Sequence, residues 1–102
     1  MQWQIMNEDI VSAFHGDLEG RLEVMQDDDL QDSNDYHDAN AVFDALGDIR
    51  HFPARIVLSD AQSVQLFITL ENVIDLNDEC DEHIMPALKR LYAQMKDEGY
   101  PH

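Results

Sequence analysis

The sequence predicts an α+β fold: a small single domain over residues 1–102, with about four mostly antiparallel strands and two or three helices packed on one face. Three observations predict it. Apolar and polar residues alternate near the N-terminus and between Ile56 and Leu70, the period of a half-buried strand. Apolar residues recur at helical spacing over 36–46 and 84–95. The length suits one domain, and no repeat or long linker divides it. At 44% apolar residues the composition supports a core and argues against full disorder.

Taken in order, Met1, Trp3 and Ile5 alternate with Gln2 and Gln4, which reads as a short strand. Asn7 is placed to cap a helix, with Glu8 and Asp9 in its favoured first turn and Gly16 at its end. Leu18, Leu22 and Val24 then suggest a second strand over 18–26. The alternative is one helix through residue 25, since Val11, Phe14, Leu18, Leu22 and Met25 also share a helical face. Gly16 and Gly20 weigh against it by about 1 kcal/mol each. Asp27 to Asp38 reads as an acidic, extended loop. Tyr36, Ala39, Val42, Phe43 and Leu46 define the next helix, capped by Asp35 or Asp38 and closed by Gly47 at the C′ position. Beyond Phe52-Pro53, Ile56 and Leu58, then Val64, Leu66, Ile68 and Leu70, read as two strands of a hairpin connected through Ser59–Ser63. The last helix starts between Asp81 and Pro86, because proline is tolerated only in a first turn. Its apolar stripe is Ile84, Leu88, Leu91 and Met95, and Gly99 and Pro101 stop it.

The net charge is −16, from 22 acids against 6 Lys and Arg. Such a surface attracts basic proteins and cations and disfavours direct contact with nucleic acid or anionic membrane. No Lys or Arg lies between Leu22 and Ile49, a stretch with nine acids, and none between Ile56 and Leu88, which holds seven. Two acidic segments are therefore candidate partner-binding residues. The first is Asp27, Asp28, Asp29, Asp32, Asp35 and Asp38; the second is Asp75, Asp78, Glu79, Asp81 and Glu82, with Glu71 beside it. Tyr100, near the terminus, is the aromatic expected to be exposed as an interface anchor, whereas Trp3 and Phe52 are expected in the core.

Metal and catalytic readings find less support. An EF-hand frame from Asp27 places Asp27, Asp29, Gln31, Ser33, Asp35 and Asp38 at the ligand positions, but position 6 is Asp32 rather than Gly, and position 12 is not Glu. Cys80 and His83 have a zinc-like spacing without a second pair. No nucleophile elbow, HExxH or phosphate-binding glycine loop is present, so neither enzymatic activity nor a cofactor is expected. One cysteine excludes an internal disulfide framework. The N-terminus has no basic region followed by a long apolar one, so no signal peptide is expected. The stretch Val64 to Leu70 is too short to span a bilayer, and a cytoplasmic protein is expected.

These readings converge on an acidic inhibitory binding protein that occupies the basic nucleic-acid-binding cleft of a partner by nucleic-acid mimicry. Phage proteins that disarm host defence, uracil-DNA glycosylase inhibitors and immunity proteins of nuclease toxins share this size and charge, a likeness of physical class and not of sequence. The alternatives are an accessory or homodimeric domain whose acidity serves solubility, and a calcium-responsive module.

Overall fold

A computed structural model describes residues 2–76 and 84–100, with the backbone alone of Leu76. Its elements are β1 (Gln2–Ile5), α1 (Glu8–Asp27), α2 (Asn34–Gly47), β2 (Ala54–Val57), α3 (Asp60–Leu76) and α4 (Met85–Asp97). The expected four-stranded sheet with helices on one face is corrected: among the described residues the fold is mostly helical, with a two-stranded sheet. Helices α1, α2 and α3 pack on one another, and α4 packs on α3. Strands β1 and β2 pair antiparallel, with Trp3 opposite Ile56 and Ile5 opposite Ala54. That register gathers Trp3, Ile5 and Ile56 on one buried face and leaves Gln2, Gln4, Arg55 and Val57 in solvent.

The second strand expected over 18–26 is instead the second half of α1. Ile10, Phe14, Leu18 and Leu22 recur every four residues and are all buried, which offsets the propensity cost of Gly16 and Gly20. Val24, which made the period-two pattern, is 60% exposed. Asn7 caps the helix as expected, accepting a hydrogen bond from the Ile10 amide at 3.0 Å. A Cβ added at Gly16 or Gly20 would meet no atom within 4 Å. Gly16→Ala and Gly20→Ala should therefore each stabilise the fold by about 0.5–1 kcal/mol. Urea unfolding checks this, and a loss of stability in either variant would contradict a regular helix at that point.

The expected hairpin over 56–70 is corrected as well. Ile56 lies in β2, but Val64, Leu66, Ile68 and Leu70 belong to α3. The Ser59–Ser63 segment is no turn between strands. It is a capping box, in which the Gln62 amide donates to Ser59 Oγ at 3.1 Å and the Ser59 amide donates to Gln62 Oε1 at 3.0 Å. Helix α3 touches three other helices and buries Ser63, Gln65, Leu66, Phe67, Thr69, Leu70 and Val73. A helix covered on most sides loses the one-sided apolar stripe that would mark it.

The other two helices stand close to expectation. Helix α2 is capped by Ser33, whose Oγ accepts from the Tyr36 amide, rather than by Asp35 or Asp38. Gly47 is its last residue and not a left-handed C′ residue. Helix α4 begins at Met85 with Pro86 in its first turn, and Ile84, Leu88, Leu91 and Met95 are buried. Gly99, at φ 97°, ends it in a Schellman motif: the Tyr100 amide bonds to Met95 O and the Gly99 amide to Lys96 O.

Candidate functional site

The first acidic segment is not an extended loop. Asp27 is the last residue of α1, Asp35 and Asp38 lie in α2, and residues 28–33 make a tight corner between them. The corner is a second Schellman motif, with the Leu30 amide bonded to Met25 O at 2.7 Å and the Asp29 amide to Gln26 O at 3.1 Å. Side chains brace it further. Ser33 Oγ donates to Leu30 O, Gln31 Nε2 to Gln26 O, and Gln26 Nε2 to the Tyr36 hydroxyl across to α2.

This corner holds Asp27, Asp28, Asp29, Asp32 and Asp35 exposed, with Asp38 half-exposed. No ion pair engages any of them among the described residues. Three carboxylates sit where the helix dipole of α1 is negative, an arrangement that opposes folding. Beside them Val24 is 60% exposed and Leu30 46%. No local pattern in the sequence marks these two residues; the exposed position of Val24 follows only once α1 is one helix.

Asp29 carries the left-handed conformation, at φ 59°, that the motif normally gives to glycine. Asp29→Gly should stabilise the protein by about 1 kcal/mol, and Asp29→Asn by less, since it removes the charge and keeps the Cβ. Thermal melts of the two variants check the order. A destabilising Asp29→Gly would contradict this backbone.

Behind the corner, α1 and α3 share a polar seam. Arg21 Nε lies 3.3 Å from Asp17 Oδ2, and Arg21 donates to Gln65 Oε1, Gln65 O and Thr69 Oγ1, the last at 2.6 Å. Asn72 donates to Asp17, and Gln65 reaches Asp35 at 3.5 Å. Burial lowers the Arg21 pKa, and the Asp17 and Asp35 carboxylates work against that shift. Arg21 is the only Lys or Arg in the first 49 residues, and it is turned inward. Its field reaches the corner at Asp35, and no ion pair engages the other four exposed aspartates among the described residues.

Asp75 and Glu71 of the second acidic segment are exposed on α3. Gln65, which meets Asp35, lies ten residues before Asp75, about 15 Å along the helix. The described part of the second segment is thus set apart from the corner. Asp78, Glu79, Asp81 and Glu82, with Cys80 and His83, lie outside the described residues. Tyr100 is corrected: it is 2% exposed, it packs edge-on against Trp3 with ring centroids 5.6 Å apart, and its hydroxyl donates to Asp60 Oδ1 at 3.0 Å. Burial pushes its pKa up, Asp60 and Glu98 add to the rise, and hydrogen bonding with Ser63 opposes it. Tyr100 is a core residue and not a surface anchor.

Among the described residues no group of three or more His, Cys, Asp or Glu could hold a metal ion, and no helix is long and apolar enough to cross a membrane. What the corner can do is attract cationic groups and offer apolar contact at Val24 and Leu30. Comparison with known proteins returns no match: no family model, no curated protein and no solved structure is similar to this chain.

Proposed function

We propose that this chain is a non-enzymatic inhibitory binding protein whose α1–α2 corner occupies the basic nucleic-acid-binding cleft of a partner protein. The observation that carries the reading is the braced corner: five exposed aspartates in no ion pair among the described residues, with Val24 and Leu30 exposed beside them. Carboxylates carried on a braced backbone give a basic cleft a field like that of a phosphate backbone, and a preorganised corner loses little entropy on docking. The net charge of −16 steers encounter, and the apolar pair slows dissociation. The proposed setting is the cytoplasm, where a lone cysteine stays reduced.

The test is capture from a nuclease-treated lysate, followed by affinity measurement with the captured protein. Support is a basic nucleic-acid-binding partner that is released by salt and displaced by duplex DNA. Its affinity should fall by about tenfold or more when Asp27, Asp28, Asp29, Asp32 and Asp35 become Asn. Unchanged affinity in that variant rejects the corner as the docking surface.

A further inference from the structure

A second surface has the opposite chemistry. An open groove of about 370 Å³ lies between the C-terminal end of α2 and β2, lined by Ala45, Asp48, Ile49, Arg50, His51, Ala54, Arg55 and Ile56. We propose that it binds an extended acidic peptide, which adds to β2 as a third strand.

Three observations carry this. First, the groove is lined by three consecutive residues of β2, Ala54, Arg55 and Ile56. Successive side chains point to opposite faces of a strand, so a groove touching all three runs along the strand's edge. The other edge is taken by β1, and no β1 residue lines the groove. Every second residue of an edge strand directs its amide and carbonyl outward, where a peptide can pair with them. Pro53 has no N–H to offer, which confines pairing to Ala54–Val57.

Second, the edge is guarded by the wrong charge for this chain. Proteins protect short edge strands with charged side chains, and acids outnumber bases here by 22 to 6. Yet two of the six bases, Arg50 and Arg55, stand at this groove with His51, against Asp48 alone. Arg55 has no ion-pair partner among the described residues, and Arg50 gives one hydrogen bond, to Gly47 O at 3.1 Å. Val57, on the outward face beside Arg55, is 70% exposed.

Third, the groove is screened from the acidic corner. The two lie at opposite ends of α2, about 20 Å apart along its axis. That is more than two Debye lengths, at about 8 Å each in physiological salt. An acidic strand is therefore matched locally by Arg50 and Arg55. A second copy of this chain is a poorer occupant, because β2 against β2 brings arginines together and adds another sixteen negative charges.

The experiment titrates the ¹⁵N-labelled full chain with an end-blocked seven-residue peptide of alternating Glu and Val. The expected result is saturable shifts of the Arg50, His51 and Ala54–Val57 amides. The peptide's affinity should fall by about tenfold in R55E, with the dispersion of the free spectrum retained. The Lys-Val counterpart should not shift these amides. Four results overturn the proposal: no shifts; equal shifts of these same amides by the Lys-Val peptide; the same shifts from inorganic phosphate at equal concentration; or shifts that follow protein concentration without peptide, which mark self-association.

Discussion

Trp3→Ala should remove about 3–5 kcal/mol of stability, the largest loss expected from a single core truncation in this chain. Trp3 is 1% exposed although it sits in a strand of four residues near the N-terminus. Its indole N–H donates to Ser63 Oγ at 2.9 Å in α3, and its ring meets the edge of Tyr100 beyond α4. One side chain thus ties together segments 60 and 97 positions apart in sequence. A domain of this size has about 5–15 kcal/mol in total, so the variant loses about a fifth of it or more. Trp3→Phe keeps most of the packing and loses the indole bond to Ser63, whose hydroxyl still hydrogen-bonds with Tyr100, and should cost about 0.5–1.5 kcal/mol. Trp3 is the only tryptophan, so the measurement is urea unfolding by far-UV circular dichroism. A loss below about 1 kcal/mol for Trp3→Ala would mean that β1 is not docked on the helices.

The parts legible in the sequence are those whose one face meets the core. Helix α4 has a clean stripe, a proline start and a glycine stop, and each of these stands in the structure. Asn7 and the stripe of α2 stand for the same reason. Helix α3 has the apolar spacing of a strand because it is central. Val64, Leu66, Ile68 and Leu70 alternate, and three of its faces are covered, so neither period dominates. The signal that settles it was present in Ser59 and Gln62, the two ends of a capping box. In α1 the two glycines suggested breaks, but both sit on the outer face, where they cost propensity and no packing. The acidic corner was legible as composition and misread as shape: charge repulsion argues for an extended loop, while the backbone bonds of Asp29 and Leu30 fold it tight. The exposure of Val24 depends on α1 being one helix, and the burial of Tyr100 depends on Trp3 and Asp60, 97 and 40 positions away. No local pattern encodes either.

Arg21→Ala should cost about 2–3 kcal/mol, and Arg21→Met combined with Asp17→Leu should cost less than the single change. The reason lies in what each variant leaves behind. Removing Arg21 alone strands Asp17 Oδ2, which has no hydrogen-bond partner and faces only the guanidinium. It also removes the donors to Gln65 and Thr69, both buried. Arg21 and Asp17 keep 20% and 12% side-chain exposure, so water recovers part of that loss, and the expected value falls below the 3–5 kcal/mol or so of a fully buried pair. The double change removes both charges together and replaces them with apolar bulk. Two mechanisms predict a weakened single variant, and salt separates them. Arg21→Ala takes the net charge from −16 to −17, a repulsion that 1 M salt, with a Debye length of about 3 Å, largely cancels. Desolvation of Asp17 and loss of the Thr69 bond are local and survive the salt. If urea unfolding in 1 M NaCl restores Arg21→Ala to the stability of the parent, Arg21 acts as a counter-charge to the acidic corner. If the deficit persists, as the 2.6 Å bond to Thr69 and the burial of Asp17 lead us to expect, Arg21 fixes the register of α1 on α3.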